Sequence, residues 1–297
     1  MILIIGGTGL LGGKIVDLLK PSGPVRVLTR TARPNREGVE YAAGDLRDPD
    51  SVRRALDGVH TVISTAHGGG GAGADGPRHI EGKAMLHLVD AVTAVPRFVY
   101  VSSASARSDS PSELFRLKAA VEQRIRDSRD AYAIVRPTHL LETWAGLLGR
   151  PLVTEGEAML FGRGRNPVSF VAADDIAQAV AALALGSGSL SVDLGGLRAY
   201  TLIELNQTIA EAYGVTVRST RRIPLAVLRA GSVLMRPFAE VPARQLGLAA
   251  LLDTQPQVVD STDAWRELGV APTSVTEWLA TRPASGLIGA EPAPMGR

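Results

Sequence analysis

Over the first half of the chain, short apolar runs rich in β-branched residues alternate with longer stretches of helical periodicity. "ILII" (2–5), "VRVLT" (25–29), "VEYAA" (39–43), "HTVIST" (60–65), "RFVYVSS" (97–103) and "YAIVRP" (132–137) are continuous in hydrophobicity rather than alternating. That is the pattern of strands covered on both faces. Helical patterns fill the gaps at roughly 10–20, 49–57, 79–94 and 111–128. Strand–helix alternation at this spacing predicts an α/β fold with a doubly wound parallel sheet. Two helix starts are signed. Ser110-Pro111-Ser112-Glu113 reads as a capping box with proline at the first helical position. Thr201-Leu202-Ile203-Glu204 reads as another, opening a helix that stops at Gly214.

After Pro137 the alternation fails. Residues 168–186 and 190–196 predict a strand, a helix and a further strand, both strands returning to the main sheet. The expected organisation is a sheet domain over 1–150, with 165–196 returning to it, then a smaller, mainly helical lobe over 200–282. The last stretch, 283–297, has the composition of a flexible tail. "HGGGGAGADG" (67–76) predicts a flexible loop directly after the fourth strand.

Composition narrows the function classes. With 297 residues and 45% hydrophobic content the chain can bury a sizeable core. Its formal net charge is +2, without a Lys/Arg block or an aromatic-interleaved basic stripe, so no nucleic-acid partner is expected. The absence of cysteine excludes disulfides, thiolate metal sites and cysteine nucleophiles, and no cluster has metal-ligand spacing. No signal peptide is read. "IPLAVLRAGSVLMRPF" is broken by arginine and proline, so it is no membrane span. The expectation is a cytoplasmic protein with no membrane partner, monomeric or a homodimer. Lysine is scarce beside arginine, which makes each lysine informative.

"ILIIGGTGLLGGKIVDLL" sets Gly6, Gly9 and Gly12 between the first strand and the first helix. Glycines there allow a tight turn, close backbone approach to a pyrophosphate and tight helix–strand packing. The helix N-terminus adds N–H donors and a positive dipole end. A bare glycine-rich turn is the bland alternative, but the strand before and the helix after it point to dinucleotide binding by Gly6, Thr8, Gly9, Leu10, Leu11 and Gly12. A dinucleotide with a free 2′-hydroxyl is met by an acid at the end of the second strand. Here "VRVLTRTARPNR" has no acid and clusters Thr29, Arg30, Arg33 and Arg36. Guanidinium groups suit a 2′-phosphate, so NADPH is expected ahead of NADH, with Arg30 first and Arg33 second. Asp45 and Leu46 follow the third strand, near where the adenine would lie, and Asp48-Pro49 reads as a helix entry.

The GGTGxxG opening, the arginine after the second strand, "GDL" after the third, "RFVYVSS", a helix with K-x-x-x-E, and "AIVRPTHLLETW" occur in order. In this the chain resembles the NmrA-like NAD(P)H-binding group of atypical short-chain dehydrogenases/reductases, most clearly over residues 1–185. The resemblance implies a Rossmann-type fold with the cofactor across the carboxyl ends of the strands and the substrate between it and the C-terminal lobe. It adds Thr65, Ala66, His67, Ser102, Lys118, Pro137 and Thr138 to the expected cofactor contacts.

In the wider family a Tyr-x-x-x-Lys pair and a serine assist hydride transfer. This chain keeps Lys118, with Ser102 and Ser103, but Leu114 stands at the tyrosine position. The bland reading of Lys118 is a surface cation paired with Glu122 one turn on. Lys118, Ser103 and His139 are the catalytic candidates, with His67 a further acid. Ketone reduction yields a strongly basic alkoxide and needs an acid. Hydride addition to a quinone or conjugated carbonyl yields a delocalised oxyanion that Lys118 and Ser103 could stabilise. Phe115, Trp144, Phe161 and Phe170 are candidate walls for such a substrate, or ordinary core. The leading expectation is therefore an NADPH-dependent reductase of a small aromatic or conjugated molecule. The alternative is a non-catalytic NADP(H)-sensing regulator, with a nucleotide-sugar epimerase or dehydratase as a weaker third.

Overall fold

The structure is a computed structural model that describes residues 1–255 and 257–289. The chain divides into two compact units, the first comprising Met1–Pro137, Ala173–Leu194 and Asp263–Ala271. All six strands expected in the first half are present there: β1 (Ile2–Ile5), β2 (Val25–Thr29), β3 (Val39–Ala43), β4 (Thr61–Ser64), β5 (Arg97–Val101) and β6 (Tyr132–Pro137). With Leu190–Leu194 they form one seven-stranded sheet. Every pairing in it is parallel, and the order from one edge is Leu190–Leu194, β6, β5, β4, β1, β2, β3. Helix α1 (Leu10–Leu19), α2 (Pro49–Ala55), α3 (Met85–Ala91) and α4 (Glu113–Ser128) supply the crossovers. Leu3, Val62, Phe98 and Ile134 bury one face of the sheet against Met85, Leu88, Val121 and Ile125. Ile4, Ile63, Val99 and Val135 are equally buried on the opposite face.

The strand order reverses between β1 and β4. In an open parallel sheet that is where the two carboxyl-end loops diverge and leave a crevice. The first helix after β1 and the loop after β4 therefore start side by side.

Two local expectations are corrected in this unit. Helix α4 begins at Glu113 with Ser112 as N-cap, and no side-chain bond caps it. Ser110 Oγ instead accepts from Ser112 N–H at 3.3 Å, and Glu113 pairs with Arg78 at 2.6 Å. The helix expected over 79–94 starts as a π-helix, Arg78–Ala84, before continuing as α3.

The second unit comprises Thr138–Ala172, Gly195–Thr262 and the chain from Pro272 onward. Val168–Val171 does not return to the main sheet. It lies between Ala199–Tyr200 and His139–Leu140 in a separate small sheet. Four consecutive buried residues mark a strand covered on both faces, but such a run does not say which sheet it joins. The lobe is also less purely helical than expected, since Glu157–Phe161 pairs in parallel with Ser219–Ile223. "STRRI" is polar and largely exposed, so hydrophobicity gives no signal for it. The capping box at Thr201 is present, with Thr201 Oγ1 accepting from Glu204 N–H at 3.1 Å and Thr201 N–H donating to Glu204 Oε2 at 2.7 Å. In the stretch expected to be a flexible tail, Ala284–Gly289 is helical and Leu287 is buried in this unit's core. A Cβ on Gly149 would stand 2.7 Å from Leu287 Cδ1, so a glycine makes the seat for that leucine. The rest of the expected tail, 290–297, lies outside the described residues.

Candidate functional site

The turn after β1 demands glycine at two of its positions. Gly6 has φ +87°, and a Cβ there would lie 2.8 Å from the backbone nitrogen of Ala66. A Cβ on Gly12 would lie 2.2 Å from the carbonyl oxygen of Gly6. Gly9 differs: among the described residues nothing would come nearer than 3.4 Å to a Cβ on it. The fold demands the first and third glycines, whereas the second leaves the backbone open to a close approach from outside. Gly9 is also the N-cap of α1, with no side-chain cap and no acid in the first turn. Its first-turn N–H groups therefore suit an anion. Thr8 and Leu10 are exposed at this lip and Leu11 is buried beneath it. Thr65, whose N–H and Oγ1 both donate to Ile5 O, ties the β4 loop to the same turn. These residues fit the diphosphate of a dinucleotide.

Arg30, just past β2, extends to the carboxylate of Asp75 in the glycine-rich loop, Nη1 to Oδ1 2.6 Å. Arg47 reaches the same oxygen at 3.3 Å and donates to Ala74 O at 3.2 Å. Arg47 also grips Asp45 as a fork, Nε to Oδ1 at 2.9 Å and Nη2 to Oδ2 at 2.6 Å. Hydrogen bonding from Arg47, opposed by partial burial, holds the Asp45 carboxyl below its ordinary range. Two guanidinium groups thus converge on one oxyanion beyond β2 and β3. Sequence reasoning found Arg30 but missed Arg47 and Asp75. Arg33 is exposed and takes no part in this cluster. Leu46 is buried, and Asp48 caps α2 as expected, accepting from Asp50 N–H at 3.0 Å.

Lys118 is not a surface cation. It is 4% exposed, and it lies 4.0 Å from Glu81 Oε1 rather than pairing with Glu122. Its Nζ donates to Val101 O at 3.4 Å and stands 5.3 Å from the centre of the Tyr100 ring. Leu114, one turn earlier, is buried on the same helix. The position held by an acid in the wider family therefore faces inward here and carries only hydrocarbon. Glu81, from the π-helix, is fully buried. It accepts from His67 Nδ1 at 3.0 Å and from Gly68 N–H at 3.0 and 3.2 Å. Burial pushes its carboxyl up, but the His67 bond and the Lys118 charge outweigh that, and it titrates below its ordinary value. Burial pulls Lys118 below the usual lysine value, against the attraction of Glu81 and Glu122. The Tyr100 hydroxyl has no hydrogen-bond partner among the described residues, and burial keeps it protonated.

Ser102 is committed elsewhere. Its hydroxyl donates to buried Glu122, which also pairs with Arg126 and Arg136. Ser103 is half-buried, its Oγ accepting from Ser105 N–H at 3.2 Å. Pro137 O at the end of β6 accepts from Ala104 N–H. His139 belongs to the second unit, where Nε2 meets Gln257 Oε1 and the ring packs edge-on to Trp144 at 5.6 Å. Burial holds that imidazole below its ordinary pKa, although its bond to Gln257 opposes the shift. Trp144, Phe161 and Phe170 join the same aromatic cluster, which favours their reading as core. Thr138 Oγ1 is buried with no partner among the described residues. No group of three or more metal-binding side chains occurs among the described residues, and no helix of theirs is long and apolar enough to cross a membrane.

A doubly wound parallel sheet with a glycine turn feeding a helix N-terminus at its switch point is a Rossmann-type fold. The chain belongs to the NmrA-like family, whose model matches residues 1–229. Among curated relatives, an NAD(P)H azoreductase of Xenophilus azovorans is 30% identical over 226 residues, covering 73% of this chain and 76% of that protein. The photosystem II assembly factor Ycf39 of Synechocystis is 26% identical over 80% of this chain and 73% of its own. Among solved structures, an NADPH-dependent quinone oxidoreductase of Escherichia coli superposes with a TM-score of 0.74 at 18% identity, covering 95% of this chain and 99% of that one. A UDP-glucose 4-epimerase of Thermus thermophilus gives 0.70 at 19% identity, over 97% and 99%. At such identities the likeness concerns the fold.

Proposed function

We propose that the protein is an NAD(P)H-dependent oxidoreductase, preferring NADPH, that reduces a quinone or another conjugated small molecule. The observation that carries this reading is the buried Lys118 beside Glu81, on a helix face where Leu114 replaces the acid that ketone reduction needs. The azoreductase relative supports a reductase, and an azo bond is likewise a conjugated acceptor. In this reading Gly6, Gly9, Gly12 and the start of α1 hold the diphosphate. Arg30 and Arg47 hold the 2′-phosphate, and Lys118 holds the nicotinamide ribose. The bound dinucleotide supplies the hydride. Lys118 then stabilises the negative charge that develops on the acceptor, with Ser103 as a second donor, and the delocalised anion takes its proton afterwards from water. Preorganised charge of this kind contributes a factor of about 100 to 1,000 per donor in other enzymes.

The test follows NADPH absorbance with quinones, enones, azo dyes and simple ketones, with NADH in parallel. Turnover of the conjugated acceptors alone is expected, falling about 100-fold or more in Lys118→Ala. Undiminished turnover in that variant would remove Lys118 from the mechanism. Tight NADPH binding without turnover of any acceptor would make the protein a dinucleotide-sensing module.

A further inference from the structure

From Ala212 to Ala239 the chain has no acidic residue and no lysine, but it has Arg218, Arg221, Arg222, Arg229 and Arg236. These five arginines make the segment +5 in a chain whose total is +2. The same segment leaves its largest apolar side chains outside. Val227 is 53% exposed, Val233 70%, Leu234 71% and Phe238 91%, with Met235 beside them at 38%. A patch of that kind on an otherwise well-packed unit marks a contact surface.

The geometry of the segment explains why that face is free. The Leu225–Leu234 helix is held by one side: Leu228 is fully buried, and a Cβ on Gly231 would lie 2.6 Å from Leu246 Cδ1 of the Glu240–Thr254 helix. Gly231 brings the two helices together, and on the other side Val227, Val233 and Leu234 are exposed. Arg221, Arg222 and Arg229 are exposed and make no ion pair among the described residues. The helix has 10 residues, far short of the ~20 needed to cross a bilayer, so any membrane contact is peripheral.

We propose that the outward face of the Leu225–Leu234 helix, with the turn through Phe238, is a docking surface for an anionic lipid bilayer. Phe238, Leu234 and Val233 enter the headgroup boundary, and the arginines meet the lipid phosphates with their stems laid on the apolar surface. A bilayer offers both halves of what this surface lacks, hydrocarbon and dispersed negative charge, in one plane. A second copy of the chain would bring the same +5 surface against its like. The proposal departs from the expectation that no membrane partner exists. The proposal is independent of the redox reading, and it gives a lipid-dissolved acceptor a place to be met.

The experiment is co-sedimentation of the intact protein with vesicles of phosphatidylcholine alone and of phosphatidylcholine with phosphatidylglycerol, at low and high salt. Binding to the anionic vesicles only, weakened by salt, is expected. The triple change Arg221→Gln, Arg222→Gln, Arg229→Gln should weaken it by about 100-fold. Phe238→Ser with Leu234→Ser should weaken it at least tenfold, while both variants keep the wild-type melting temperature because the residues are exposed. No binding to anionic vesicles would overturn the proposal. So would binding that ignores the Phe238/Leu234 change, which would be charge attraction without insertion. Self-association in light scattering that the serine changes abolish would assign the surface to a second copy instead.

Discussion

Glu81 has no access to solvent, yet it ties together His67, Gly68 and Lys118. Its carboxylate faces Lys118 at 4.0 Å and His67 at 3.0 Å, while Glu122, Tyr100 and the Val101 carbonyl complete the surroundings of the ammonium. Glu81→Gln removes the nearest negative charge, so the Lys118 pKa, already lowered by burial, falls further. The fraction of ammonium then drops at a lower pH, and the alkaline limb of the kcat profile should shift to the acid side. Glu81→Asp keeps the charge and should restore the limb, which a merely structural role would not do. An unshifted limb in a folded Glu81→Gln protein would release Glu81 from this role. Stability carries its own sign. The folded carboxyl titrates below its ordinary 4.5, so its contribution is present above that value and is lost as pH falls through the folded pKa.

Gly9 and Gly12 make a second pair of opposites at this scale. Gly12→Ala drives a methyl into the Gly6 carbonyl, 2.2 Å away, and should cost about 1–3 kcal/mol of stability by overpacking. Gly9→Ala meets nothing closer than 3.4 Å, so it should melt like the wild type but lose affinity for dinucleotide. Thermal melts and a binding titration on both variants separate the two roles.

Among the elements, the loop from His67 to Gly76 departs furthest from what its composition implies. A run of glycines reads as flexible, but this loop is tied at both ends, by His67 to Glu81 and by Asp75 to Arg30 and Arg47. It carries a short 3-10 turn at Gly73–Asp75. The six strands and the glycine turn were legible, and Arg30 and Lys118 were singled out, because each is announced by local pattern or by a motif with fixed spacing. Glu81, Asp75 and Arg47 were not. Each looks like an ordinary charge on a helix or loop, and its partner is remote in the chain. The widening of the helix at Arg78–Ala84 is equally invisible to a period count, though such turns often place functional side chains. In the proposed reading, the Asp75 carboxylate occupies the guanidinium groups assigned to the 2′-phosphate. Asp75→Asn should therefore tighten NADP+ relative to NAD+, and Arg47→Met should do the reverse. Exposed pairs are worth about 0.2–1 kcal/mol, so each change should be no more than about fivefold in Kd. Equal effects on both dinucleotides in isothermal titration would place the 2′-phosphate elsewhere.

The whole molecule is threaded so that the sheet unit cannot be cut from the front of the chain. The main sheet is completed by Leu190–Leu194, which pairs with β6 over five residues, from Leu190 with Ala133 to Leu194 with Pro137. Helix Ala173–Leu185 covers the sheet beside α1, where Lys14 meets Asp174 at 2.6 Å. Ile176, Ala179 and Val180 of that helix are wholly buried. Arg97 on β5 is buried too, and its guanidinium depends on later chain for its acceptors: Leu183 O at 3.0 and 2.8 Å, and Gly188 O. A chain ended at Pro137 would keep every residue of the glycine turn and Lys118. It would nevertheless expose the edge of β6, uncover the α1 face of the sheet and strand a buried cation without its carbonyls. Each loss is of a kind that costs more than 1 kcal/mol, against a total domain stability of about 5–15 kcal/mol. Residues 1–137 expressed alone should therefore be insoluble or lack a cooperative melt by circular dichroism. A soluble 1–137 fragment with a sharp transition and dinucleotide affinity would show that the second crossing of the chain is dispensable.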